Sequence, residues 1–252
     1  MAANFLNDDK TEVMEIVIYQ NCVNSVKLAD VIITPTDSAK NLGFKFDDQL
    51  SLNLQISAVI QKCNMNLRNY YRIGSKLTHS LKVQLVHGGV LFLIDYCNAV
   101  YGGLSEEDLQ RLQKVQNSAV RFIFGLKLSD RQHIMPYLKQ LHFLPVKHRI
   151  QYKLCVMVFK CINNMAPTYL TELINMRETK QQAVRLDDDF YVLKRPPAPN
   201  FRQTEAAFCL SGPAAWNALP YNIRCQANFQ KFKGTLKQYY FNEVFKNVRM
   251  NS

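Results

Sequence analysis

The sequence predicts a mainly α protein with a small N-terminal β segment, an α+β arrangement with strands first and helices after. Three observations predict it. β-Branched residues crowd residues 13–19 and 26–33, as pleated, half-buried strands favour. From Ser51 onward apolar residues return every third or fourth position, the period of a helix face. The chain has 252 residues and is 48% hydrophobic, and a chain of this size buries roughly three quarters of its unfolded surface, so a real core is available.

Taken in order, residues 13–19 and 26–33 read as two strands separated by a turn-like segment at 21–25, and Pro35 ends the second. Residues 41–46 alternate polar and apolar and read as a third short strand. So little sheet cannot close a core alone; it must lie on the helices that follow or belong to something larger. Ser51 is placed to cap the first helix. The stripe of that helix is Leu52, Ile56, Val59, Ile60, Cys63, Leu67, Tyr70 and Leu77, a length of roughly 36 Å at the helical rise per residue. A second, more apolar helix covers 78–101, broken or bent near Gly88-Gly89 and stopped by Gly102-Gly103.

Ser105 followed by Glu106, Glu107 and Asp108 opens a third helix with a cap and an acidic first turn. Its buried stripe is Leu109, Leu112, Val115, Ala119, Ile123 and Leu126. A fourth helix runs over about 146–164, buried through Ile150, Leu154, Met157, Val158 and Cys161. Residues 175–205 contain Gln181-Gln182, Asp187-Asp188-Asp189 and Arg195-Pro196-Pro197-Ala198-Pro199, a polar and then proline-rich link that reads as a flexible loop. Beyond it a short helix covers 214–219 after Pro213. Phe229, Phe232, Leu236, Tyr239 and Tyr240 make the apolar face of a last helix.

Bulk properties exclude several classes. No window of about 20 residues is apolar enough to span a bilayer; the nearest candidate, 90–94, is flanked by His87 and Asp95. The start, Met1-Ala2-Ala3-Asn4 and mixed polar residues, shows no signal-peptide pattern. The seven cysteines are Cys22, Cys63, Cys97, Cys155, Cys161, Cys209 and Cys225, an odd number with no C-x-x-C pair. They read as reduced thiols of an intracellular protein, nuclear or cytoplasmic, rather than as metal ligands, with Cys155 and Cys161 in an apolar run read as core. Charge is uneven. Residues 1–60 hold four Lys/Arg against eight Asp/Glu, and residues 61–252 hold 27 against 12. A polyanion is therefore expected on the later part, although excess charge also serves solubility.

The densest motif series lies in the middle. It runs His133-Ile134, Leu141-His142-Phe143-Leu144-Pro145-Val146, Arg149-Ile150, Lys153, Phe159-Lys160 and Ala166-Pro167-Thr168-Tyr169-Leu170. Gly212-Pro213-Ala214-Ala215-Trp216-Asn217-Ala218-Leu219-Pro220 and Ile223-Arg224 follow. Upstream stand Asn4-Phe5-Leu6 with Lys10-Thr11-Glu12, then Leu42-Gly43 with Asp47 and Leu50. After them come Asp95-Tyr96-Cys97-Asn98, and Leu112-Gln113-Lys114-Val115-Gln116-Asn117 with Ala119 and Arg121. In this order the series resembles the C-terminal third of a LINE-type (non-LTR) retrotransposon reverse transcriptase of the jockey and chicken-repeat kind, from the end of the palm through the thumb and beyond. Phe143 departs from the family's usual tryptophan but keeps an aromatic ring.

The resemblance implies a fold and also an absence. Such enzymes copy RNA into DNA with two Mg²⁺ held by carboxylates on one palm strand and on a Tyr-x-Asp-Asp hairpin. Both would precede this chain. Three Asp clusters remain, Asp8-Asp9, Asp47-Asp48 and Asp187-Asp188-Asp189, and none sits between two strands as that hairpin requires. The expectation is no catalytic residue, no metal site and no cofactor in this chain. Lys10 resembles the family's lysine near the incoming phosphates, but here reads as a solvated side chain. His79, His87, His133, His142 and His148 have no nucleophile motif beside them and read as structural or surface histidines.

The placement of the basic residues is more informative. Lys62, Arg68, Arg72 and Lys76 lie opposite the stripe of the first helix, within a sector of about 100° or a little more. Lys114 and Arg121 share a face of the third with Gln110, Gln113 and Asn117. Arg149, Lys153 and Lys160 follow at spacings of four and seven on the fourth. Faces so poor in carboxylates can follow a phosphate backbone without reading sequence. Any amphipathic helix also shows charge to water.

The sequence is thus expected to hold a β remnant of the palm at 1–50, a thumb-like helical bundle at 51–130, and post-thumb helices at 131–174. A linker at 175–205 and a C-terminal helical segment at 206–252, away from the duplex, complete it. The expected partner is RNA or RNA–DNA duplex, with no membrane and with self-association through the exposed β remnant. A purely structural or protein-interaction module, or a decayed open reading frame, is the alternative.

Overall fold

A computed structural model describes residues 12–16, 25–28, 31–127, 129, 132–176, 191–197, 207–246 and 248. The chain is mainly helical with two small antiparallel sheets. It divides into two compact units, 1–59 and 60–252. The expected boundary at residue 50 thus falls nine residues later, inside the first helix.

The first unit contains two hairpins where longer single strands were expected. Strands β1 (Val26–Leu28) and β2 (Val31–Ile33) pair antiparallel, Val26 opposite Ile33. The second run is therefore two strands, because β-branched composition signals extension but not the point of reversal. Strands β3 (Ser38–Asn41) and β4 (Phe44–Asp47) pair with Asn41 opposite Phe44. Between them Leu42 and Gly43 have φ of 48° and 85°, the doubly positive backbone of a two-residue type I′ turn. The expected strand at 41–46 is interrupted there. Residues 13–16 carry no regular structure, although the Val13 carbonyl accepts the Thr36 N–H at 2.8 Å; the rest of that expected strand lies outside the described residues.

Asp47 closes the second hairpin onto the helix start. Its Oδ1 accepts the Ser51 N–H at 2.7 Å and its Oδ2 accepts the Ser51 hydroxyl at 3.0 Å. Ser51 in turn accepts the Asn53 N–H at 3.3 Å. Helix α1 (Asn53–Ile73) follows and passes into a 3₁₀ turn, Gly74–Lys76. Leu52, Ile56, Val59, Cys63 and Leu67 of the expected stripe are buried.

In the second unit, helix α2 (His79–Val86) is capped by Thr78, whose side chain accepts the Leu81 N–H. Its regular α pattern is interrupted near Gly88-Gly89, where a break or bend was expected, without ending the helix. A π-helical segment, His87–Leu91, carries it into α3 (Phe92–Asp95). Gly89 is required there: a Cβ would stand 1.8 Å from the Tyr70 hydroxyl oxygen. A 3₁₀ turn (Asn98–Gly103) leads to α4 (Glu106–Phe124). Ser105 caps that helix, Glu106, Glu107 and Asp108 stand in its first turn, and Gly125 ends it at φ 68°. The Ser105 cap and the acidic first turn match the expectation; the stop at Gly125 does not, since Leu126 was expected on the helical stripe.

Helices α5 (Met135–Gln140), α6 (Val146–Ile162) and α7 (Thr168–Thr171) follow. Helix α8 (Phe208–Asn217) begins six residues before the expected start and keeps Pro213 inside it. Helices α9 (Tyr221–Arg224) and α10 (Phe229–Phe245) complete the chain. One core joins α6, α8 and α10 through Cys155, Val158, Phe159, Trp216, Phe232, Leu236 and Tyr240.

The link expected to be flexible is anchored over its described part. The Leu193 N–H donates to Asn217 Oδ1, and Asn217 Nδ2 donates back to the Leu193 carbonyl, both at 2.9 Å. Trp216 Nε1 donates to the Tyr191 carbonyl at 2.8 Å, and Leu193 is buried. A local reading of proline and charge cannot foresee partners 24 or 25 residues away.

Candidate nucleic-acid interface

The C-terminal half of α1 buries Cys63 and Leu67 and turns Lys62, Arg68 and Arg72 to solvent, with Lys76 exposed in the 3₁₀ turn beyond. No carboxylate occurs anywhere in residues 49–94. Among the described residues none of these four side chains has an ion-pair or hydrogen-bond partner. Their charge is therefore free for an external anion.

Arg68 and Arg72 line an open groove of about 580 Å³ whose other walls are Asn64, Leu67, Tyr71 and, from α4, Ser118. Tyr71 is 53% exposed. It is held by an edge-on contact with Phe122, ring centres 5.1 Å apart. Partial burial pushes the Tyr71 hydroxyl above its ordinary range while the nearby Arg121 pulls the other way, so the ring is a neutral phenol near pH 7. Two cations flanking a fixed aromatic ring supply both a backbone contact and a stacking surface. Lys114 is exposed one turn before Ser118, whose hydroxyl donates to the Lys114 carbonyl at 3.0 Å.

The other expected contacts are differently employed. Arg121 donates to the Lys127 and Gln132 carbonyls, both at 3.2 Å, and so braces the segment after α4. Gln113 is also structural: its Oε1 accepts the Val146 N–H at 2.9 Å, capping α6. Arg149 grips Asp95 from both sides of its guanidinium, Nε to Oδ1 at 2.8 Å and Nη2 to Oδ2. Lys160 lies over the Phe229 ring, 5.6 Å from its centre.

Arg149, Lys153 and Lys160 therefore do not form a row of free cations. Arg149 and Lys153 line a second cavity, of about 290 Å³, together with Lys237 of α10. The last helix thus contributes Lys237 to a basic cavity. Lys237 was missed because helix spacing shows which residues share a face, not which helix that face meets.

Among the described residues no group of three or more His, Cys, Asp or Glu could hold a metal ion. Both oxygens of Asp47 are already committed to Ser51; Asp8, Asp9 and Asp187 to Asp189 lie outside the described residues. Cys63 and Cys155 are buried thiols, each pushed up to about 12 by loss of solvent. Cys161 is also buried and its thiol is also raised by burial. These three are core residues. Among the described residues no helix is long and apolar enough to cross a membrane.

No family model matches the chain, and no curated protein or solved structure matches it.

Proposed function

We propose that this chain binds RNA or RNA–DNA duplex by its phosphate backbone, without sequence preference, through the groove between α1 and α4. The observation that carries this reading is the pair Arg68 and Arg72, unpartnered and flanking an exposed Tyr71 in a groove with no carboxylate. Lys62, Lys76 and Lys114 extend the same chemistry along the two helices. The motif order supports descent from the rear of a LINE-type reverse transcriptase, in which this part rests on the template–primer duplex. Among the described residues no group of three or more His, Cys, Asp or Glu could hold a metal ion, and on this reading the chain by itself extends no primer. Nuclear or cytoplasmic residence belongs to the same reading.

The test is binding of a fluorescent RNA–DNA duplex across a salt series. Changing Arg68 and Arg72 to Gln is expected to weaken binding by about 1–3 kcal/mol, as loss of charged contacts does. The slope of log affinity against log salt should fall by about one unit per lost phosphate contact. Lys231 and Lys246, exposed at the two ends of α10, provide the control pair. Equal losses in both pairs would reduce the attraction to net charge. No loss in either would leave a structural or protein-interaction module.

A further inference from the structure

We propose that the cavity between the π segment, α3, α6 and α10 binds a nucleoside 5′-monophosphate, either free or as the 5′ end of a strand. The cavity holds about 290 Å³, at the lower edge of ordinary ligand sites, so it suits one nucleotide rather than a larger cofactor. Its charge is one-sided. Asp95 is the sole carboxylate among its lining residues, and Arg149 already neutralises it. Lys153 and Lys237 come from different helices, both exposed, and among the described residues neither side chain has a partner. Two free ammonium groups against a neutralised carboxylate match a phosphate monoester, which carries about two negative charges near pH 7.

The same cavity has a place for a base. His142 lines it from the turn between α5 and α6, in the left-handed backbone region at φ 53°. Its ring stacks on Phe241, centres 5.1 Å apart and planes 25° from parallel. The residue is otherwise exposed. A flat ring backed by a second ring is a stacking platform that accepts any base. The turn fixes it there, since the His142 N–H donates to the Lys139 carbonyl at 3.1 Å. His87, edge-on to Phe143 at 5.5 Å, forms part of the remaining wall.

This site is distinct from the α1–α4 groove and is tested separately, by calorimetry on the full chain at fixed salt. Adenosine monophosphate should bind at least tenfold more tightly than adenosine and than inorganic phosphate. Lys153→Gln with Lys237→Gln, which keeps exposed helix positions and helix propensity, should weaken the monophosphate at least tenfold. His142→Asn tolerates the left-handed backbone; it should weaken the monophosphate several-fold and leave inorganic phosphate unchanged. Arg68→Gln with Arg72→Gln should leave the monophosphate untouched even though it weakens the duplex.

A tetranucleotide with a 5′-phosphate assigns the source. If it binds as tightly as the mononucleotide, and its 5′-hydroxyl form does not, the site takes a strand end. If it binds more weakly, the site takes the free nucleotide. The proposal is overturned if adenosine or inorganic phosphate binds as well as the monophosphate, if the lysine pair has no effect, or if the two double variants lose equally.

Discussion

Asn66 donates from Nδ2 to the carbonyl oxygen of Gly89 at 2.7 Å, and the Cys63 thiol, three residues earlier on α1, reaches the Val90 carbonyl at 3.8 Å. Both acceptors belong to the π segment His87–Leu91. The wider turn of a π-helix disturbs the regular pattern of backbone bonding; here two side chains of α1 meet its carbonyls. The bulge and α1 therefore specify one another. Tyr70 completes the contact, because its hydroxyl occupies the space that a Cβ at Gly89 would need.

Gly89→Ala tests that fit. Within a helix, alanine in place of glycine ordinarily stabilises by about 1 kcal/mol. Here the new methyl would stand 1.8 Å from the Tyr70 hydroxyl oxygen, and overpacking of this kind costs about 1–3 kcal/mol. The expected net effect is destabilisation, read as a lower midpoint in denaturant. Adding Tyr70→Phe removes the obstructing oxygen and should recover at least half of the loss. A stabilised single variant would mean that the helices do not approach this closely.

Arg149→Gln separates structure from binding. The Arg149–Asp95 pair is mostly shielded, with side-chain exposures of 16% and 25%. Removing the cation leaves Asp95 without its principal partner, and the cost is expected at about 1–3 kcal/mol, less than for a fully buried pair. Duplex affinity should fall by no more than in the control pair on α10. A loss matching the Arg68 and Arg72 pair, with stability unchanged, would return Arg149 to the nucleic-acid contacts.

Alkaline pH should unfold the chain through its buried thiols. Cys63 and Cys155 are each raised to about 12 by burial, against an ordinary value of 9.0, and burial raises the Tyr240 hydroxyl too. Between pH 9 and about 12 the unfolded thiols lose protons that the folded ones keep. The folded state then binds more protons, so stability falls as pH rises. The slope is at most about 1.4 kcal/mol per pH unit for each thiol. Denaturant midpoints at pH 8, 10 and 11 should show the decline. Cys155→Ala should flatten it, even though the variant is less stable throughout.

How much of this was legible in the sequence depended on the range of the contact. The start of α4 announced itself because Ser105 and the acidic first turn act within a few residues of one another. The stripe of α6 was readable for the same reason. The hairpins were not, since Leu42 at φ 48° is a turn residue that no local preference marks. Arg149 and Asp95 are 54 residues apart, and Trp216 and Tyr191 are 25 apart. Sequence spacing placed these side chains on helix faces but could not show that other elements had already engaged them. Lys62, Arg68, Arg72 and Lys76 are exposed, as their helical spacing opposite the apolar stripe predicts.

Self-association is expected to reside in the N-terminal unit. Among the described residues each of its two sheets has only two strands, so outer backbone groups lack a partner strand. Ile32 is 68% exposed in β2 and Leu42 is 87% exposed at the second turn. Deleting residues 1–50 removes both hairpins and leaves α1 whole, because that helix starts at Asn53. The deletion also takes away Asp47, which holds Ser51, and the Lys45 N–H that donates to Gln55 at 3.0 Å. Fraying of the first turn of α1 should therefore cost about 1 kcal/mol, the ordinary value of a lost cap. Melting temperature is for that reason the wrong readout, and sedimentation velocity across a concentration series is the right one. The full chain should show a mass that rises with concentration, and the shortened chain should stay monomeric. A full chain that is monomeric at every concentration, with the deletion changing nothing, would show that these edges are protected and that the β unit is complete as it stands.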